Sequence, residues 1–128
     1  MTQVMRGVVA LVGLFNFALG MSFLLDPAAG AQRFFLTPIG SQGMATIRAD
    51  FTAFFVTGAV FALIGAWRTW RAPLLVPMIL LGVAISGRAL SLLLDGAAST
   101  AYPPMLAEAG MIAILALGWR SFAAVPRS

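Results

Sequence analysis

The sequence contains no cysteine, no histidine and no lysine, and only 9% of its 128 residues are charged. Zinc, haem and iron–sulfur sites take most of their ligands from cysteine and histidine, so we expect no metal and no cofactor. A soluble domain has about 25% charged residues, and the low charge argues against an ordinary water-soluble enzyme. A nucleophile–base arrangement would need Asp, Glu, Ser or Tyr alone. We therefore expect no catalytic residues and favour a non-enzymatic protein.

Hydrophobic residues make up 61% of the chain, and its mean hydropathy is +0.98. Four apolar runs are each about long enough to cross roughly 30 Å of hydrocarbon, which takes about 20 helical residues. They predict membrane spans at about 8–25, 47–67, 74–94 and 104–120. The fold class is therefore all-α: a four-helix transmembrane bundle that forms a single integral membrane domain over residues 1–128.

The one connection of appreciable size joins the first two spans and has the sequence DPAAGAQRFFLTPIGSQG. Asp26 is suited to cap a helix that begins with Pro27, and Phe34, Phe35 and Leu36 are apolar. We expect a short helix in the membrane interface, followed by Ser41 as the N-cap of the second span. The alternative is a flexible loop, with which the three glycines and two prolines of this segment are also compatible.

The eight arginines give a net charge of +4, and they are scattered singly rather than arranged in a basic stripe. Nucleic acid is therefore not an expected partner. One side of the bundle would hold five arginines and no acid: Arg6, Arg68, Arg71, Arg120 and Arg127. The other side would hold the four acids with two arginines: Asp26, Asp50, Asp95, Glu108, Arg33 and Arg48. The positive-inside rule then predicts cytoplasmic termini, with Trp67, Trp70 and Trp119 at that interface and Tyr102, Phe34 and Phe35 at the outer one.

Ionisable residues within the third and fourth spans are the main candidates for a functional site. Arg88 and Glu108 lie at about the same depth, and a lone charge there costs several kcal/mol by most scales. We expect the two to pair. Ser91 and Asp95 follow Arg88 at i+3 and i+7, which predicts one polar helix face. Asn16 lies near the middle of the first span.

These residues predict a polar pocket that opens to the outer side. Its centre would be Arg88 and Glu108, its floor Asn16, and its rim Arg48, Asp50 and Asp95. Such a pocket would bind a small polar or amphipathic ligand, with Arg88 or Arg48 holding an anionic head group. The alternative is a set of internal ion pairs that fix helix register, with Arg88 on Glu108 and Arg48 on Asp50 or Asp95.

Two motifs carry a family resemblance, IRADF at residues 47–51 and GRxLSLxxDG at residues 87–96. With a late glutamate, they resemble an uncharacterised bacterial family of small four-helix membrane proteins known only as a domain of unknown function. The resemblance implies no activity, but it implies the polar signature Arg48, Asp50, Gly87, Arg88, Ser91, Asp95 and Gly96. More distantly, the chain is similar to the ergosterol-biosynthesis scaffold family, whose members tether sterol enzymes; that family tends to carry His at the position of Arg88.

The residues and the resemblance together predict a multi-pass protein of the bacterial inner membrane with both termini cytoplasmic. It would bind a lipid-like or small amphipathic ligand, or act as a scaffold or accessory subunit of a membrane complex. The alternative is a small dimeric transporter coupled to protons or cations through Glu108. Expected partners are membrane lipid, another membrane protein or a second copy of the chain.

Small residues at four-residue spacing permit close helix packing, either internally or against such a partner: Gly58, Ala62 and Ala66, and Gly82 and Ser86.

Overall fold

A computed structural model describes residues 1–96 and 98–126, and within these ranges the chain is entirely helical in its regular structure. The five α-helices, named in chain order, are α1 (Thr2–Leu25), α2 (Pro27–Arg33), α3 (Gly40–Arg68), α4 (Leu75–Asp95) and α5 (Tyr102–Ala123). Short 3₁₀ turns at Ala72–Leu74 and Ser99–Ala101 precede α4 and α5. In the described part of the chain, four helices are long and apolar enough to cross a membrane. The all-α four-helix bundle is thus confirmed; Arg127, assigned above to the side of the termini, lies outside the described residues.

The long helices extend beyond the apolar runs that predicted them. α1 begins at Thr2 rather than near residue 8, and α3 begins at Gly40 rather than near residue 47. Ser41 lies inside the first turn of α3, where the amide of Gly43 donates to the carbonyl oxygen of Ile39 at 3.0 Å. The prediction of Ser41 as N-cap is therefore wrong. A helix can continue into polar sequence because its backbone hydrogen bonds are internal, whereas hydropathy marks only the apolar part.

The connection between the first two spans contains the short helix that the sequence predicts. Oδ1 of Asp26 accepts a hydrogen bond from the amide of Ala29 at 3.2 Å, and Pro27 is the first helical residue. After α2 the chain turns back, so that the Phe34 ring lies 5.4 Å from the Phe23 ring. Phe34 is therefore partly buried against the bundle, while its neighbour Phe35 is exposed.

Helices α1 and α3 pack closely because glycines on α1 remove the side chains between them. A methyl group at Gly13 would lie 2.7 Å from Cγ of Leu63, and one at Gly20 would lie 2.6 Å from Cγ2 of Val56. Gly58, Ala62 and Ala66 of α3 are also buried inside the bundle, so these small residues serve internal packing. By contrast, a methyl group at Gly82 of α4 would meet no atom within 4 Å.

Two hydrophobic clusters hold the helices together. Near the termini, α1, α3, α4 and α5 share a core that includes Val9, Ala62, Leu81 and Leu115, with Leu74 from the 3₁₀ turn. The second cluster, at the opposite end, joins α1, α2 and α3 through Phe23, Ala31, Ile47 and Phe55. Because this second cluster lacks buried residues from α4 and α5, the bundle is less tightly closed on their side there.

The end of the bundle that holds the termini is rich in arginine and tryptophan. Arg6 donates from Nε to the carbonyl oxygen of Ala66 at 2.9 Å and from Nη2 to that of Trp67 at 3.1 Å, which satisfies carbonyls in the last turn of α3. The guanidinium of Arg71 lies 4.7 Å from the centre of the Trp119 ring, a cation–π contact. These contacts link α1 to α3, and the segment that follows α3 to α5, at this end.

We predict that replacing Gly20 by alanine destabilises the bundle, whereas Gly82→Ala does not. The added methyl at Gly20 meets a stiff β-branched side chain, and overpacking of this kind costs about 1–3 kcal/mol. Alanine at Gly82 meets nothing within 4 Å and gains helix propensity. Thermal unfolding of the two variants in the same detergent tests this difference, and equal midpoints would contradict the close packing of α1 and α3.

Candidate functional site

A cavity of about 480 Å³ lies between the helices, in the part of the bundle away from the termini. It is bounded by α1, α3, α4 and α5 and by the residue that follows α2. Its wall is mostly apolar and contains five phenylalanines: Phe15, Phe34, Phe51, Phe54 and Phe55. Its charged lining residues are Asp50, Arg88 and Glu108. The cavity therefore combines an aromatic wall with a small group of charges.

Arg88 and Glu108 form an ion pair that joins α4 to α5. Nε of Arg88 lies 2.8 Å from Oε1 of Glu108, and the side chains are 37% and 10% exposed. Neither atom makes a hydrogen bond of good geometry, so the contact is chiefly electrostatic. Among the described residues, Glu108 is the only polar partner of the Arg88 guanidinium. Arg88 and Glu108, which the sequence places at about the same depth, are therefore in direct contact, as predicted.

Asp50 contributes the second carboxylate of the cavity. It lies on α3, its residue is exposed, and its side chain lines the cavity together with the ion pair. Within residues 1–96 and 98–126, no side chain forms an ion pair or hydrogen bond with this carboxylate. The cavity thus contains one paired and one unpaired acidic group.

Asn16 is buried but does not line the cavity. Its Nδ2 donates to the carbonyl oxygen of Val12 at 2.8 Å and to Sδ of Met111 at 3.4 Å. Met111 itself forms part of the cavity wall. Asn16 therefore supports the wall through Met111 and is not the open floor that the sequence predicts.

Arg48 lies apart from the cavity, on a shallow groove between α1 and α3. Its Nε donates to the carbonyl oxygen of Leu24 at 3.1 Å. Among the described residues Arg48 forms no ion pair, so the predicted pairing with Asp50 or Asp95 is wrong. Arg48 does not reach Asp50 because the two residues are two positions apart on α3, and two positions along a helix rotate a side chain by about 200°. Arg48 and Asp50 consequently face different sides of α3.

Ser91 and Asp95 also lie outside the cavity, near the end of α4. Both residues are exposed, and the Ser91 hydroxyl lies 3.3 Å from Oδ2 of Asp95. This is a local contact between positions i and i+4. Of the seven predicted site residues, the structure brings Asp50, Arg88 and Glu108 together and separates the other four.

The aromatic wall was missed at the sequence level, although a signal was present. Phe51, Phe54 and Phe55 stand at i, i+3 and i+4, which places them on one face of α3. Phe34 completes the group from outside the helix, with ring centres 6.4 Å from Phe51 and 5.9 Å from Phe55. An aromatic stripe directly after Asp50 could have indicated a ligand wall as well as a packing face.

Comparison with protein-family models, with curated proteins and with solved structures gave no match. The resemblance carried by the IRADF and GRxLSLxxDG motifs therefore stays a prediction.

We predict that Arg88 and Glu108 are strongly coupled in stability. Arg88→Met leaves a largely buried carboxylate without its partner, and breaking a buried pair costs about 3–5 kcal/mol. Glu108→Leu leaves an unpaired guanidinium. The double variant Arg88→Met/Glu108→Leu should recover most of the loss, because no charge then remains unpaired.

Thermal unfolding in detergent measures this double-mutant cycle. Arg33→Met is the control, since Arg33 is exposed and its side chain forms no ion pair or hydrogen bond among the described residues, and it should change stability little. Additive effects of the two single substitutions would contradict the ion pair.

Proposed function

We propose that this chain is a non-enzymatic, multi-pass protein of the bacterial inner membrane that binds a lipid-like or small amphipathic ligand. The observation that carries the proposal is the cavity of about 480 Å³, with phenylalanines along its wall and an ion pair and a free carboxylate among them. Sites for small molecules commonly have about 300–1,000 Å³ and an apolar lining with few polar groups. The cavity fits this description.

The amphipathic character of the ligand follows from the two kinds of surface in the cavity. Phe51, Phe54 and Met111 offer an apolar wall to a hydrocarbon or aromatic part. Arg88 and Asp50 offer charged groups to a polar head group. A wholly polar ligand would leave the aromatic wall in contact with water, and a wholly apolar one would leave the charges unsolvated.

The proposed orientation has both termini in the cytoplasm. It is supported by the arginines at the end of the bundle that holds the termini: Arg6, Arg68, Arg71 and Arg120. Cytoplasmic segments carry an excess of such residues. In this orientation, the cavity lies in the outer half of the bundle, where an amphiphile in the outer leaflet can reach it.

Two other functions stay predictions beside this one. A scaffold or accessory-subunit role would use the outer faces of α4 and α5, which carry exposed apolar residues such as Ile79, Val83 and Leu117. A dimeric coupled transporter would use Glu108, which the cavity brings within reach of a bound ligand. Ligand binding is the step that the cavity supports directly, and a transporter would share it.

We predict that Ala107→Phe lowers the retention of a bound amphiphile, because Ala107 lines the cavity and a phenylalanine ring there would occupy part of the space that the ligand needs. Ala113→Phe is the matched control, since Ala113 is an exposed alanine of the same helix outside the cavity lining. Native mass spectrometry of gently solubilised protein measures the retained small molecules. We expect wild type and Ala113→Phe to retain one, and Ala107→Phe to retain about tenfold less or lower, since overpacking costs about 1–3 kcal/mol.

Two results would contradict the proposal. Bare protein in all three samples would mean that the cavity holds no stable ligand. Equal retention by Ala107→Phe and wild type would place the bound molecule on the outer surface of the bundle.

A further inference from the structure

We infer that the ligand of the cavity is a lipophilic cation: an apolar or aromatic molecule that carries one positive charge. The inference rests on the proposed binding function and names the charge of the head group. It follows from the balance of charges in the cavity, from the nature of its wall, and from the position of the arginines that a negative head group would need.

Negative charge exceeds positive charge in the lining of the cavity. Arg88 is compensated by Glu108, whose Oε1 lies 2.8 Å from its Nε. Asp50 then contributes a carboxylate that has no partner among the described residues. One positive charge on the ligand would neutralise the cavity, because Asp50 is the one charge of its lining without a partner among the described residues.

The phenylalanine wall favours the same sign of charge. The faces of aromatic rings carry partial negative charge and attract a cation within about 6 Å of the ring centre. Phe51 follows Asp50 directly, and Phe54 lies one helical turn further along α3, so that carboxylate and rings line one cavity. A cation held there would contact both.

The sequence suggested an anionic head group, but the cavity offers no free positive charge that would bind one. Arg48 lies on another groove and donates to the carbonyl oxygen of Leu24. Arg88 is in the cavity but is already paired with Glu108. An anion would have to displace the Glu108 carboxylate and approach Asp50 without a counter-charge. The position of the arginines therefore favours a cation over an anion.

Two tetraphenyl ions of matching shape and opposite charge, tetraphenylphosphonium and tetraphenylborate, are compared with a neutral triphenyl compound, triphenylphosphine oxide. Their binding to the purified full chain in detergent is measured by equilibrium dialysis. Wild type, Asp50→Asn and Asp95→Asn are compared. Asp95 is an exposed acid outside the cavity, so Asp95→Asn removes the same charge from a position that the ligand does not touch.

We expect tetraphenylphosphonium to bind wild type and Asp95→Asn equally and to lose roughly tenfold in affinity in Asp50→Asn, as the loss of one close countercharge implies. The neutral probe should bind all three proteins alike. Tetraphenylborate should bind Asp50→Asn more tightly than wild type.

The outcomes separate this inference from the proposed function. If the neutral probe binds wild type and tetraphenylphosphonium binds no more weakly to Asp50→Asn than to wild type, the charge assignment is overturned and ligand binding stands. If no probe binds any of the proteins, both are overturned. An equal loss of tetraphenylphosphonium affinity in Asp50→Asn and Asp95→Asn would reveal an effect of overall charge and would also overturn the inference.

Discussion

The contact between Arg88 and Glu108 is the interaction on which the site depends. A charge within a membrane span must be neutralised or reach water, and in the described residues this pair is the one salt bridge, with 2.8 Å between Nε and Oε1. It joins α4 to α5 beside the cavity and gives an otherwise apolar wall its polar part. Because each charge of the pair neutralises the other, Asp50 is the one unpaired charge of the cavity lining among the described residues.

The cavity itself results from unequal packing of the helices. Glycines let α1 and α3 approach closely along their length, and the core near the termini closes all four long helices around Leu74 and Leu115. At the other end the buried cluster involves α1, α2 and α3, so α4 and α5 leave space beside the rings of α3. Phe34, carried back into the bundle after α2, limits this space from the connecting segment.

The sequence predicted correctly those features that depend on how far along a helix a residue lies. Its predictions failed where the outcome depends on which side of the helix a residue faces. Run length and hydropathy were sufficient for four spans, and an Asp-Pro step was sufficient for the start of α2. Equal depth suggested the pairing of Arg88 with Glu108. By contrast, Arg48 was grouped with the pocket although α3 turns it toward Leu24. The inward fold of Phe34 depends on tertiary packing, which no local pattern of the sequence encodes.

Photolabelling with a neutral long-chain alcohol that carries a diazirine tests the central claim, an amphiphile in the cavity, most directly. After illumination of the protein in lipid vesicles, peptide mapping identifies the labelled residues with and without excess unlabelled alcohol. We predict label on cavity residues such as Phe54 and Met111, and we predict that excess unlabelled alcohol removes it. Label spread over outward residues such as Leu11, Val83 and Leu117, with no effect of the competitor, would contradict it.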